Sequence, residues 1–234
     1  MGINKNTEHL QLIITADGSN TIYNSIVGEN YHSRNGALQE SKHVFVHSGL
    51  MHFINMQLSS ISSIKVLEVG FGTGLNFLLT TDICTEKQIK MLYTGIEAYP
   101  LNNNLISNTG YEQYISKPVW DKFLSVYSLS LTKPVALNSF CDLEVIPVPL
   151  ADFDTTESYD VIYFDAFAST RQPEMWDEKA ITHTLAFLKP GGVFVTYAIT
   201  GNLKRIIKTL GLKVEKVPGA PGKREMLRAT KPLA

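Results

Sequence analysis

The stretch from Ile64 to Asn76, IKVLEVGFGTGLN, constrains this chain more than any other: an apolar run meets an acid, then glycines follow at 70, 72 and 74. That order reads as a buried strand, a tight turn and the first residues of a helix. Gly70 and Gly72 let the backbone turn sharply and approach a ligand, while Gly74 lets the helix start hard against the strand. A glycine-rich turn can also be a plain connection, so its surroundings have to decide. A second apolar run, MLYTGIE, ends in Glu97, where folds of this layout present a carboxylate to ribose hydroxyls. A third, SYDVIYFDAFAST, carries Asp165 at its end. Ligands of open α/β sheets bind outside the carboxyl ends of the strands, so Glu68, Glu97 and Asp165 are expected on one rim.

The motif lacks the GxGxxG pattern that cradles a pyrophosphate, yet it keeps the acids. A nucleoside without phosphates suits it better than a dinucleotide, which points to S-adenosylmethionine. Asp152, just past the β-rich CDLEVIPVPLADF, is expected near an adenine or as a helix N-cap. Asp165 is either part of the chemistry or a cap at its strand end.

With 234 residues, 44% of them hydrophobic and 18% charged, the chain is expected to be one soluble globular unit with its own core. No apolar run approaches the roughly 20 residues of a membrane span, and MGINKNTEHL has no apolar leader core, so a cytoplasmic location is expected. Cys84 and Cys141 stand alone, without CxxC or His at ligand spacing, and no metal site is expected. The net charge is −1, but Gly201–Ala234 holds nine Lys and Arg against Glu215 and Glu225. That segment carries +7 and residues 1–200 carry −8, an asymmetry that marks either a surface for an acidic ligand or a solvated face.

Residues 1–60 precede the glycine motif and read as an extension. LQLIITADGSNTIYNSIV gives two strands about an Asp17-Gly18-Ser19 turn, and a helix with Leu38, Val44 and Phe45 inward follows. Between them Tyr31, His32, Ser33 and Arg34 form either a packed loop or the roof of a polar pocket. Residues 61–234 read as a doubly wound α/β core. Its segment from Tyr99 to Ser130 reads as loop and helix without chemistry. A helix over 178–188, a Lys189-Pro190-Gly191-Gly192 turn, the strand VFVTYAI, a helix from Gly201 to Leu210, a strand from Leu212 to Val217 and a final strand KREMLRAT follow.

Four blocks, DGSNTIYNSIVGENYHSRNGALQESKHVF, LEVGFGTGLNFLL, YFDAFASTRQPEMW and PGAPGKREMLRA, resemble the methyltransferase domain of the MnmC-type tRNA 5-methylaminomethyl-2-thiouridine biosynthesis enzymes. The likeness runs from Asp17 to Ala229; its glycine block is shared by many methyltransferases, whereas the YHS block and the GKREMLRA ending are more specific. It implies a class I, Rossmann-like fold and a seven-stranded doubly wound sheet with its terminal strand inserted antiparallel; bifunctional members add a flavin-dependent oxidoreductase domain, which a chain of this length is expected to lack. The implied reaction moves a methyl group from S-adenosylmethionine to the aminomethyl group of 5-aminomethyl-(2-thio)uridine at the wobble position of tRNA. It implies Glu68, Gly70, Gly72, Gly74, Asn76, Glu97, Ala98, Asp152 and Tyr31 for the cofactor and Asp165 as the catalytic group. On the tRNA side, Phe167 and Trp176 would stack on the base or else belong to the core, Lys223 and Arg224 would meet phosphates of the anticodon arm, and His32 and Arg34 would face the substrate; a separate oxidoreductase or pathway enzyme would supply the precursor. The chain departs from the family at Ala168-Ser169-Thr170-Arg171 and at Pro149-Leu150-Ala151-Asp152, which leaves the adenine contact open. Methylation of a small-molecule or protein amine, and a non-enzymatic binding module on the same scaffold, remain as alternatives.

Overall fold

The computed structural model describes residues 7–233; the MGINKN start, read above as lacking a leader core, lies outside them. A three-stranded antiparallel sheet comes first, β1 (Leu10–Ile14), β2 (Asn20–Asn24) and β3 (Glu29–Asn30), with the anticipated turn at Asp17-Gly18-Ser19. Asp17 holds that turn by accepting from the Ser19 N–H at 3.0 Å. A continuous helix over 37–56, α1, follows. Its middle, Ser41–Met51, is π-helical, and the His52 N–H donates to the His47 carbonyl five residues back. Val44 and Phe45 are buried as expected, and Leu38 packs at the core's edge.

The main sheet contains β4 (Ser63–Val69), β5 (Lys90–Ile96), β6 (Val135–Ala136), β7 (Cys141–Ile146), β8 (Tyr159–Phe164), β9 (Leu188–Thr196), β10 (Lys213–Pro218) and β11 (Glu225–Thr230). Their spatial order is β10-β11-β9-β8-β4-β5-β7-β6. Strands β7, β5, β4, β8 and β9 are parallel, and β11 is inserted antiparallel between β9 and β10. Seven strands match the anticipated sheet; the eighth, the two-residue β6, caps the β7 edge. The connecting helices are α2 (Leu75–Glu86), α3 (Asn103–Ser107), α4 (Lys117–Ser130), α5 (Glu178–Ala186) and α6 (Gly201–Thr209). Among the described residues no helix is long and apolar enough to cross a membrane.

Pleating divides the core. Ile64, Val66, Tyr93, Val161 and Tyr163 face a cluster shared with α1, α2 and α4, while Leu67, Val69, Ile162 and Phe164 face another beneath α5 and α6. The extension thus shares the first core with the sheet. Cys84 and Cys141 are buried, and burial pushes both thiols up, to about 12 and about 11. The expected KPGG turn is instead a bulge inside β9: Leu188 pairs with Tyr159 and Val193 with Val161, and the residues between loop out of register.

Candidate active site

The strand order reverses between β4 and its neighbours β5 and β8, and a crevice opens there at the carboxyl ends. The two sides of the crevice nearly touch. The Asp165 N–H donates to the Val69 carbonyl at 2.8 Å, and a Cβ on Gly70, whose φ is +88°, would lie 2.5 Å from the Asp165 carbonyl oxygen. Only glycine fits that approach. The turn is tied to β5 through Gly70 and Phe71 N–H groups, which both donate to the Ile96 carbonyl. Phe71 then drops its ring into an aromatic cluster with Phe77, Phe123 and Tyr127.

A cleft of about 1790 Å³ runs along this rim. Glu97 stands on its inner wall, accepting from the Gly72 N–H at 2.9 Å and the Tyr99 N–H at 3.0 Å. Those bonds favour the carboxylate, but burial outweighs them and raises its pKa. Gly70, Gly72 and Ala98 line the wall beside Glu97. Gly74 closes the turn in the left-handed region at φ +79° and starts α2. Tyr31 crosses above the turn: a Cβ on Gly72 would come within 2.9 Å of its ring, and the ring meets Phe167 edge-on at 5.1 Å.

Asp165 opens onto the cleft beside that roof. Its Oδ2 accepts from Asn76 Nδ2 at 2.8 Å, and the same nitrogen donates to Glu68 Oε1 at 2.8 Å. Glu68 Oε2 in turn accepts from the Tyr93 hydroxyl at 2.8 Å. The Asp165 pKa is raised well above the usual carboxylate range, first by burial and then by the nearby Glu40 charge. Burial, with Asp165 second, does the same to Glu68.

Several expected residues sit elsewhere. Glu68 is not on the rim but fully buried, because β4 continues to Val69 and the pleat turns residue 68 inward with Ile64 and Val66. It and Asn76 reach the cleft only through Asp165. Asp152 is exposed on a single 3₁₀ turn and does not line the cleft, although its neighbours Pro147 to Ala151 do. Trp176 is core: its indole N–H donates to the Phe167 carbonyl at 2.7 Å, and its ring packs on Phe164 and Tyr197, leaving no face for a base. Phe167 lines the cleft. His32 lines it too, with Nδ1 3.1 Å from the Thr21 hydroxyl, but burial lowers its pKa to about 4, so it is neutral at physiological pH and offers phosphates no charge. Arg34 is exposed, with its guanidinium 6.0 Å from the Tyr23 ring centre. Lys223 turns inward onto Glu40 at 3.0 Å, while Arg224 is exposed.

The Tyr99–Ser130 segment, read as free of chemistry, supplies much of the inner wall. Tyr127 and Asn103 line the cleft, and the Tyr127 hydroxyl and Asn103 Oδ1 are buried with no hydrogen-bond partner among the described residues. No sequence motif marks them, since their place depends on how α3 and α4 fold back over the turn.

A family model described as S-adenosyl-L-methionine-dependent methyltransferase matches residues 115–232. Among curated proteins, the tRNA 5-methylaminomethyl-2-thiouridine biosynthesis bifunctional protein MnmC of Leptospira interrogans serovar copenhageni is 30% identical, over 84% of this chain and 32% of that protein. Its namesake from Actinobacillus pleuropneumoniae serotype 5b is 25% identical over 94% of this chain and 35% of its own length. The chain therefore spans about a third of the length of these relatives. Among solved structures, MnmC2 from Aquifex aeolicus superposes with a TM-score of 0.74 at 22% identity, covering 98% of this chain and 73% of that one.

Proposed function

The chain belongs to the S-adenosyl-L-methionine-dependent methyltransferases, and from that premise we propose that it methylates the aminomethyl group of a modified wobble uridine in tRNA. The donor fits the inner wall. Glu97 keeps acceptor capacity for ribose hydroxyls, the glycine turn leaves room where side chains would intrude, and Tyr127 and Asn103 line the cleft beside them. Bound there, S-adenosylmethionine supplies a methyl group on a good leaving group. What the chain has to add is a correctly placed, neutral amine.

The observation that carries the reading is Asp165, a carboxylate at the strand-order reversal, held by Asn76 and open to the cleft. An alkylamine is mostly protonated at neutral pH, and a carboxylate with a raised pKa is better matched to accept its proton than an ordinary one. For an amine that arrives already neutral, the ionised carboxylate instead orients the lone pair and stabilises the charge that develops on nitrogen. Phe167, at the edge of Tyr31, offers a ring face on the acceptor side. The tRNA acceptor is supported by the names of the relatives and by a groove of about 550 Å³ between α6 and β10, lined by Lys204, Arg205, Lys208 and Lys216. This groove replaces Lys223 as the surface for the phosphates of the anticodon arm.

Purified protein with methyl-labelled S-adenosylmethionine should label tRNA carrying the aminomethyl precursor and leave unmodified transcript blank. Label confined to the wobble nucleoside after digestion supports the acceptor; no transfer to precursor tRNA refutes it. Replacing the four groove cations by Ala should weaken tRNA binding and flatten its salt dependence, by up to about 0.9 in log–log slope for each phosphate no longer neutralised.

A further inference from the structure

Loop 165–168 is gripped from above by residues far away in sequence. Glu29 accepts from the Ala168 N–H at 2.9 Å, and the Tyr197 hydroxyl donates to the Ala166 carbonyl at 2.8 Å. The Tyr197 ring carries the Lys223 ammonium 3.6 Å from its centre, and that ammonium also donates to Glu40 Oε1 at 3.0 Å. Glu40 Oε2 accepts from the Ser33 N–H at 2.8 Å, so this carboxylate, whose side chain is only 6% exposed, is satisfied on both oxygens. An unbroken set of contacts thus runs from the N-terminal helix through the C-terminal loop and Tyr197 to the residue after Asp165.

We propose that Glu40 and Lys223 are a positioning pair for Asp165: through Tyr197 they fix the loop that carries it, and their opposite charges together set the field at its carboxylate. The inference rests on reading Asp165 as the proton acceptor. An ion pair with one buried member, Glu40, and one half-buried member, Lys223, is a poor source of stability, because desolvation offsets much of the attraction. Placed against a third ionisable group, however, it holds that group between two opposed influences. The groups acting around Asp165 are Glu68 of β4, Tyr93 of β5, Glu29 of β3, Glu40 of α1, Lys223 of the loop before β11 and Tyr197 after β9. Of these Lys223 alone is cationic. Glu40 and Glu29 push Asp165 toward its protonated form and Lys223 pulls it back. Neither member touches the reacting atoms, so both act through Asp165.

The test is a titration of the Asp165 carboxyl by ¹³C NMR in the protein without donor, beside single-turnover methyl transfer across pH. Glu40→Gln removes the stronger opposition to Lys223 and should lower the Asp165 midpoint; Lys223→Met removes the sole cation among these groups and should raise it. Each shift should be on the order of one pH unit, the double variant should return close to wild type, and the acidic limb of the rate profile should move with the midpoint. Lys223→Arg, which keeps the charge, should restore the wild-type midpoint and guards against a general loss of structure. Midpoints that stay put, or move the same way in both single variants, overturn the pair. Opposed shifts in a protein whose Asp165→Asn variant transfers methyl at the wild-type rate would uphold the pair's effect on Asp165 and overturn the proton-acceptor reading.

Discussion

The inner wall of the cleft and its roof are built by opposite means. The wall is held largely through main-chain N–H groups: those of Gly70 and Phe71 donate to the Ile96 carbonyl, and those of Gly72 and Tyr99 to the Glu97 carboxylate. The roof is held by side chains from the N-terminal segment, Tyr31 on Phe167, Glu29 on Ala168 and Glu40 on Lys223, reaching across 136 to 183 residues of sequence. Apart from Glu97, a wall of this kind survives most changes of side chain. A roof of single charged contacts does not, and each of its members can be altered without moving the sheet. Donor binding should therefore respond to the wall, and acceptor handling to the roof and to Asp165 where the two meet.

Asp165→Asn tests that junction most severely. It keeps the shape and an acceptor for Asn76 but loses the charge, so single-turnover transfer should fall by about 10²–10⁴. Donor affinity should change far less, and the deficit should narrow toward high pH, where more of the amine is already neutral. Equal losses in donor affinity and rate would erase the distinction between wall and roof. Glu97→Ala addresses the wall alone and should weaken S-adenosylmethionine binding by about 1.5–3 kcal/mol, the worth of charge-assisted hydrogen bonds, as read by calorimetry.

Glu68→Gln lies beneath both and should have the smallest effect. A carboxyl whose folded pKa is raised gives stability that is fully present below its unfolded value, about 4.3, and is lost as pH rises through the folded value. Urea titrations should show wild-type stability declining over that window while the Gln variant stays flatter. Parallel curves would mean that Glu68 ionises as readily in the fold as outside it.

Much of the wall was legible in the sequence because it depends on local order: strand, glycines, helix, and an acid at the end of each of two further strands. Glu97 and Asp165 followed from that logic. Glu68 did not, since one more residue of strand at Val69 decides which way it points. Trp176 and Lys223 looked like ligands because both chemistries suit RNA; their partners, Phe167 and Glu40, come from tertiary packing that no spacing encodes. The 37–56 helix was visible in its apolar pattern, but not its wide middle. That middle brings Gly49 so close to the sheet that a Cβ would sit 2.9 Å from both Tyr163 and Val195.

The place of β11 has a consequence for how the molecule comes into being on the ribosome. It bridges β9 and β10, and among the described residues β10 has no other strand neighbour in the sheet. As the chain emerges, β10 appears before the strand that must tie it down, and it has to wait with its hydrogen-bonding edge open. Loop 219–224, which carries Lys223 to Glu40, is fixed only when β11 zips into the gap, since that loop joins the two strands. Vectorial synthesis therefore fixes the sheet edge and the Lys223–Glu40 contact of the roof in one late event, and a nascent protein stalled before Glu225 would hold the glycine turn, Asp165 and the Glu29–Ala168 contact without that ion pair.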